Sequence, residues 1–129
     1  LGMPPMNFMA AELLEKDGGL WAQGRGFSIA LSPERAKALV ASSSKQVTLG
    51  LRPSDLTYSA YADGNQSLNL NIIVSEYVGA QSVLIGGCGD EKVTVELKSE
   101  TPIALGETLR FAFQPENIHL FDTKTEKAL

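Results

Sequence analysis

Residues Ser67–Val78 read SLNLNIIVSEYV, and their alternation decides the fold class. Leu68, Leu70, Ile72 and Val74 recur at every second position, with Asn69, Asn71 and Ser75 on the other parity. Successive side chains of a strand point to opposite faces, so this run predicts a half-buried strand with Leu68, Leu70, Ile72 and Val74 on its core face. The period returns in KVTVELK (92–98), where Val93, Val95 and Leu97 alternate with Thr94 and Glu96. It returns again in TLRFAF (108–113), where Leu109, Phe111 and Phe113 alternate with Arg110 and Ala112. Further strands are expected at 8–14, 20–23, 27–31, 46–52 and 82–87.

Turn chemistry separates these runs. Asp17-Gly18-Gly19, Asp63-Gly64-Asn65 and the stretch GGCGD (86–90) supply residues that tolerate tight turns. One helix is predicted. Ser32 can cap it, Pro33 suits its first position, Glu34 favours its N-terminal end, and ASSSKQ (41–46) stops it. About eight short strands with one short helix predict a mainly β fold, a small barrel or sandwich.

Bulk composition narrows the class. A chain of 129 residues holds one ordinary domain, here 1–129, and 43% hydrophobic residues can build its core. The net charge of −4 argues against nucleic acid as a partner, because phosphate binding relies on excess Lys and Arg. No apolar run approaches the roughly 20 residues that a membrane helix needs, so direct membrane insertion is not expected. Cys88 is the single cysteine, which rules out an internal disulfide. The start, LGMPPMNF (1–8), has no initiator Met and no signal-peptide pattern. Its two early prolines read as a stiff connector, so the expectation is a fragment with more protein before Leu1.

Chemistry is hard to find. IGGCGDEKVTV (85–95) looks superficially like a phosphate cradle, but a P-loop requires GxxxxGK[ST] opening a helix, and here Val93 occupies the hydroxyl position and a strand follows. A hairpin turn at Gly86–Asp90 is the plainer reading, with Cys88 a passive, exposed thiol within it. No Cys/His spacing fits zinc. The carboxylates Asp90, Glu91, Glu96 and Glu100 read as solvated charge. Trp21, Tyr58, Tyr61 and Tyr77 are dispersed and read as core or rim packing. His119 is the sole histidine, and a strand sends His119 and Asp122 to opposite faces, so no local dyad forms.

Four stretches taken in order carry a resemblance: GMPPMNFM (2–9), LGLRPSDL (49–56), EYVGAQSVL (76–84) and FQPENIHLFD (113–122). Together they resemble the C-terminal regulatory region, a TOBE-type OB-like β-domain, of the ATPase subunit of sugar-type ABC importers, the maltose and glycerol-3-phosphate group. The resemblance implies an OB-like barrel or sandwich of short antiparallel strands. It implies a non-catalytic regulatory and dimerisation domain, cytoplasmic and peripheral to the inner face of the membrane. No cofactor is expected in this part; ATP and magnesium would belong to the ATPase domain preceding it. The implied partners are a second ATPase subunit, the membrane permease subunits through that preceding domain, and in some members a cytoplasmic regulatory protein.

The motif residues become the candidate interface and regulatory positions. Asn7 and Phe8 would anchor the connector. Arg52 and Pro53 would set a strand-turn, with Arg52 an ion-pair donor. Glu76 and Gly79 would shape a turn near the dimer contact. Glu116, His119 and Phe121 would complete the barrel or its interface. Ser54-Asp55 and Ala80-Gln81-Ser82 depart from the family pattern. Three other readings stand beside this one: an oxyanion-binding OB-like domain using 86–92, a free-standing module for oligosaccharides or oligonucleotides, and a small enzyme using His119.

Overall fold

The computed structural model describes residues 5–40, 45–98 and 103–129. The chain runs β1 (Asn7–Lys16), β2 (Gly19–Gly24), β3 (Phe27–Ala30), α1 (Pro33–Val40) and β4 (Gln46–Leu51). It continues through β5 (Thr57–Tyr58), β6 (Ser67–Val78), β7 (Gln81–Cys88), β8 (Glu91–Leu97), β9 (Thr108–Ala112) and β10 (His119–Asp122). Short 3-10 turns at Pro53–Asp55, Gly64–Gln66 and Pro115–Asn117 join some of them. Two antiparallel sheets result, ordered β10-β4-β1-β2-β3 and β5-β9-β6-β7-β8. The last strand leaves the second sheet and returns to pair with β4 in the first. The mainly β, OB-like expectation is met.

The inner faces follow the alternation. Met9, Ala11 and Leu13 of β1 and Val47, Leu49 and Leu51 of β4 are buried, as are Leu68, Leu70 and Ile72 of β6 and Val93, Val95 and Leu97 of β8. They form one continuous core with Phe111 and Leu120. Burying each of the larger of these side chains, Ala11 excepted, stabilises the fold by about 1.5–3 kcal/mol. The helix begins as predicted: the Arg35 N–H donates to Ser32 Oγ at 3.2 Å and the Ala36 N–H to the Ser32 carbonyl at 2.9 Å. Arg35 Nη1 then donates to the Ile118 carbonyl at 2.5 Å, pinning α1 near the end of the chain. The expected helix stop falls on 41–46, of which 41–44 lie outside the described residues, as do Glu100 and the first four residues of the connector.

Two expectations are corrected. Val74 does not share the core face of β6. The register shifts between Ile72 and Val74, so Ile72 faces Gly86 while Val74 faces Ile85. Ile73 is the extra residue of a β-bulge, and beyond it the strand presents Val74 outward and the Ser75 position toward the core side. The second correction concerns 86–90. Gly86, Gly87 and Cys88 are strand residues of β7, and only Gly89-Asp90 turn. A Cβ at Gly86 would come within 2.7 Å of Leu70 Cβ, so this glycine permits close packing rather than a turn. Cys88 is buried in the core.

The sheets meet along two seams. At the first, the Asn7 side chain donates from Nδ2 to the Thr94 carbonyl at 2.8 Å and accepts from the Thr94 N–H at 2.9 Å. Thr94 lies on β8, the edge of the second sheet, so the amide of Asn7 satisfies backbone groups that no strand pairs. Three residues on, the Ala10 N–H donates to Glu91 Oε1 at 3.2 Å. At the second seam the β2–β3 and β7–β8 turns touch. A Cβ on Gly89 would lie 2.1 Å from the Arg25 carbonyl oxygen, and Gly89 has φ +59. The Arg25 guanidinium pairs with Asp90 across this contact, and the Cys88 thiol donates weakly to the Gly26 carbonyl at 3.7 Å.

Asn7→Ala removes both bonds and leaves a partly buried N–H and C=O of Thr94 without the amide, so we expect a loss of about 1–2 kcal/mol in urea unfolding. A change below about 0.5 kcal/mol would show that water replaces the amide without cost. Burial first, and the Glu91 carboxylate second, push the Cys88 thiol above its ordinary pKa. Its contribution to stability is therefore present below the unfolded thiol's pKa and is lost as pH rises from there through the folded one. Alkaline unfolding should show this loss in the native chain and not in Cys88→Ser, which itself should cost about 1–2 kcal/mol by placing a hydroxyl in the core. A neutral substitution would return Cys88 to the surface.

Candidate functional site

The structure gathers three of the nine candidate residues. Phe8 on β1 and His119 on β10 both stand opposite Gly50 of β4, the strand between theirs. Phe121 sits two residues along β10 on the same outer face. Its ring meets that of Phe8 edge-on, with centroids 6.0 Å apart and planes at 65°. The patch closes over a glycine: a Cβ at position 50 would lie 2.6 Å from Met6 Sδ and 3.2 Å from Phe121 Cε2. Phe8 remains 58% exposed, so the cluster is an open apolar surface. A shallow groove runs beside it, lined by Phe8, Thr48, Phe121, Asp122, Thr123 and Glu126.

The other candidates lie apart. Asn7 is committed to Thr94. Arg52 is exposed, and its carbonyl accepts from the Asp55 N–H at 3.0 Å. Among the described residues the ion pair formed is Arg25–Asp90, so the pair expected of Arg52 is not made. Pro53 is buried at the start of its 3-10 turn. Glu76 is exposed on β6 opposite Val83. Gly79 has φ +68 as the first of two residues joining β6 to β7, the position at which a type II′ turn requires glycine. Glu116 is exposed in the turn before β10.

Catalytic readings find little support in the geometry. Asp122 accepts from the N–H groups of Lys124 and Thr125, both at 2.8 Å, and so folds the tail. The tail then runs back along β10, with Phe121 bridging Ala128. Asp122 serves the backbone here and stands opposite Val47, while His119 stands opposite Gly50. Among the described residues no three His, Cys, Asp or Glu side chains gather to hold a metal ion. Residues 86–92 are strand, turn and strand, with Asp90 and Glu91 at the turn and no helix behind it. The Asp90 carboxylate is already paired with Arg25, and among the described residues no helix N-terminus faces this turn, so these residues show no P-loop-type cradle for a phosphate.

The aromatics form no common platform. The Trp21 indole N–H donates to the Lys16 carbonyl at 2.9 Å, and the Lys16 ammonium covers its ring at 4.4 Å. Tyr58 packs against Phe111, but Tyr61 is 99% exposed, contrary to the expectation of core or rim packing. Sequence reasoning overlooked Gly50, whose signal was a glycine inside the alternating run QVTLGL. It also overlooked the outer face of β6 and β7, because the bulge that exposes Val74 has no sequence mark among three consecutive β-branched residues.

Two family models together cover most of the chain. The MalK OB fold domain model matches residues 2–56 and the TOBE domain model matches residues 49–121. The chain is 33% identical over 129 residues to the sn-glycerol-3-phosphate import ATP-binding protein UgpC of Ruegeria sp. (strain TM1040), covering 98% of this chain and 32% of that protein. It is 26% identical over 136 residues to the uncharacterized ABC transporter ATP-binding protein YurJ of Bacillus subtilis (strain 168), covering all of this chain and 36% of that one. The chain thus spans about a third of the length of these relatives. Among solved structures, the cytoplasmic molybdate-binding protein ModG with molybdate bound shares the fold, with a TM-score of 0.62, 13% identity and coverage of 88% of this chain and 94% of that one. The TOBE match takes in more than half of the chain, from β4 through most of β10, and the chain belongs to the TOBE domain family, with the MalK OB fold at its N-terminal end.

Proposed function

We propose that this chain is the regulatory and dimerisation region of the ATP-binding subunit of an ABC importer for sugars or sugar phosphates, and is non-catalytic by itself. The observation that carries the reading is coverage: relatives that are import ATP-binding proteins match 97–98% of this chain along about a third of their own length. ATP and magnesium then belong to the remaining two thirds of the subunit. That part would also contact the membrane permease subunits and hold the assembly at the inner face of the membrane. This region's own work is recognition, by a second copy and by a cytoplasmic regulatory protein. The exposed Phe8–Phe121 surface supports that role, since open apolar clusters mark contact sites. Among the described residues no helix is long and apolar enough to cross a membrane. Oxyanion binding, the alternative reading, has a shared fold behind it, without a helix N-terminus among the described residues at the turn that would serve.

Titration calorimetry of this chain with magnesium-ATP should give no binding heat up to millimolar nucleotide. Micromolar binding would overturn the non-catalytic assignment. Sedimentation equilibrium should show a reversible monomer–dimer equilibrium between about 10 µM and 1 mM, because a contact near 800 Å² per partner must offset the entropy of association unaided by the rest of the subunit. A monomer throughout that range would remove the dimerisation part of the reading.

A further inference from the structure

The outer face of the second sheet carries a pattern that the family match does not explain. The register aligns Val74, Ile85 and Thr94 in one row across β6, β7 and β8. One row to one side holds Glu76, Val83 and Glu96; one row to the other side holds Asn71, Gly87 and Lys92. Rows two residues apart lie roughly 7 Å from each other along a strand. The face is apolar at its middle, and Ile73 and Val78 on β6 are 46% and 56% exposed. Lys92 and Glu96 are four residues apart on one strand, about 13 Å, which is too far for them to pair within one chain. Among the described residues neither takes part in an ion pair.

We propose that a second copy of this chain packs on this face, related by a two-fold axis that runs along the Val74–Ile85–Thr94 row. The proposal rests on the self-association reading above and assigns it a surface. Such an axis places Val74, Ile85 and Thr94 over their own counterparts and exchanges the flanking rows. Glu96 of one copy then lies over Lys92 of the other, twice by symmetry. Val83 of one copy lies over Gly87 of the other, so a side chain meets a position that has none. A two-fold interface must be self-complementary, and both the charge pattern and the large-to-small pattern of this face satisfy that condition. Two sheets packed face to face stand about 10 Å apart with their strands nearly aligned, a spacing that Lys92 can cross to reach a carboxylate.

Charge reversal tests the arrangement on the chain itself. Glu96→Lys sets two lysines against each other at two symmetric places, and Lys92→Glu does the same with carboxylates. Each single variant should raise the dimer Kd by about tenfold or more in sedimentation equilibrium at low salt, with thermal unfolding of the monomer unchanged. The double variant Lys92→Glu/Glu96→Lys recreates the opposite pairing and should return the Kd to within about threefold of the native value. If the native chain dimerises and the single variants dimerise equally well, this face is not the contact, although self-association stands. Failure of the double variant to recover would likewise overturn the two-fold arrangement. A native chain that stays monomeric overturns both the surface and the self-association reading.

Discussion

The Asn7 carboxamide stands in for a missing strand. β8 is the edge of its sheet, and an edge exposes a row of unpaired N–H and C=O groups. Asn7 offers one donor and one acceptor in the geometry of a peptide and takes both groups of Thr94. Because Asn7 opens β1, the middle strand of the first sheet, this contact fixes where that sheet meets the second. The bond from Ala10 to Glu91 extends the same seam. With the seam fixed, Met9, Ala11 and Leu13 face inward toward the other sheet, and a single core follows.

The opposite seam is held by shape. Gly26 and Gly89 both adopt positive φ, and neither position has room for a Cβ, since each would strike the other turn's backbone. The Arg25–Asp90 pair spans the contact but is exposed, and exposed pairs contribute little. Close approach of two backbones, which only glycine permits, is therefore the stronger constraint. Cys88 sits just behind this contact, which is why a residue beside a glycine-rich turn is buried.

Period-two alternation made the strands legible, because a half-buried sheet imposes that period directly. Ser32-Pro33-Glu34 made the helix start legible, because capping is a local interaction. Asp17-Gly18 was legible for the same reason: both residues have positive φ, at +51 and +76. The two-residue strand Thr57–Tyr58 was not, being too short to show a period. Gly86-Gly87-Cys88 misled because glycine serves both turns and tight sheet packing, and only the neighbouring Leu70 tells them apart. Of the nine candidate positions the ordered motifs singled out, Phe8, His119 and Phe121 are joined by the structure through Gly50. The partner of Asn7 lies 87 residues away, a distance over which no local pattern carries information.

The bulge at Ile73 links fold to surface. Without it, Val74 would continue the buried series of Leu68, Leu70 and Ile72. With it, β6 reverses its faces halfway along, and Val74 and Val78 join Val83 and Ile85 on the outside. A sheet face of this kind, left open, is a hazard, since exposed apolar strands invite unselective pairing. Bulges and charged residues are devices that limit such pairing to chosen partners. Here the charges are placed asymmetrically, with Lys92 on one side of the central row and Glu96 on the other. Parallel stacking of identical faces would set like charges together, whereas a two-fold arrangement sets them in opposition. On the proposed two-fold contact, the charges flanking the apolar row would thus restrict the orientation in which a second copy can pack.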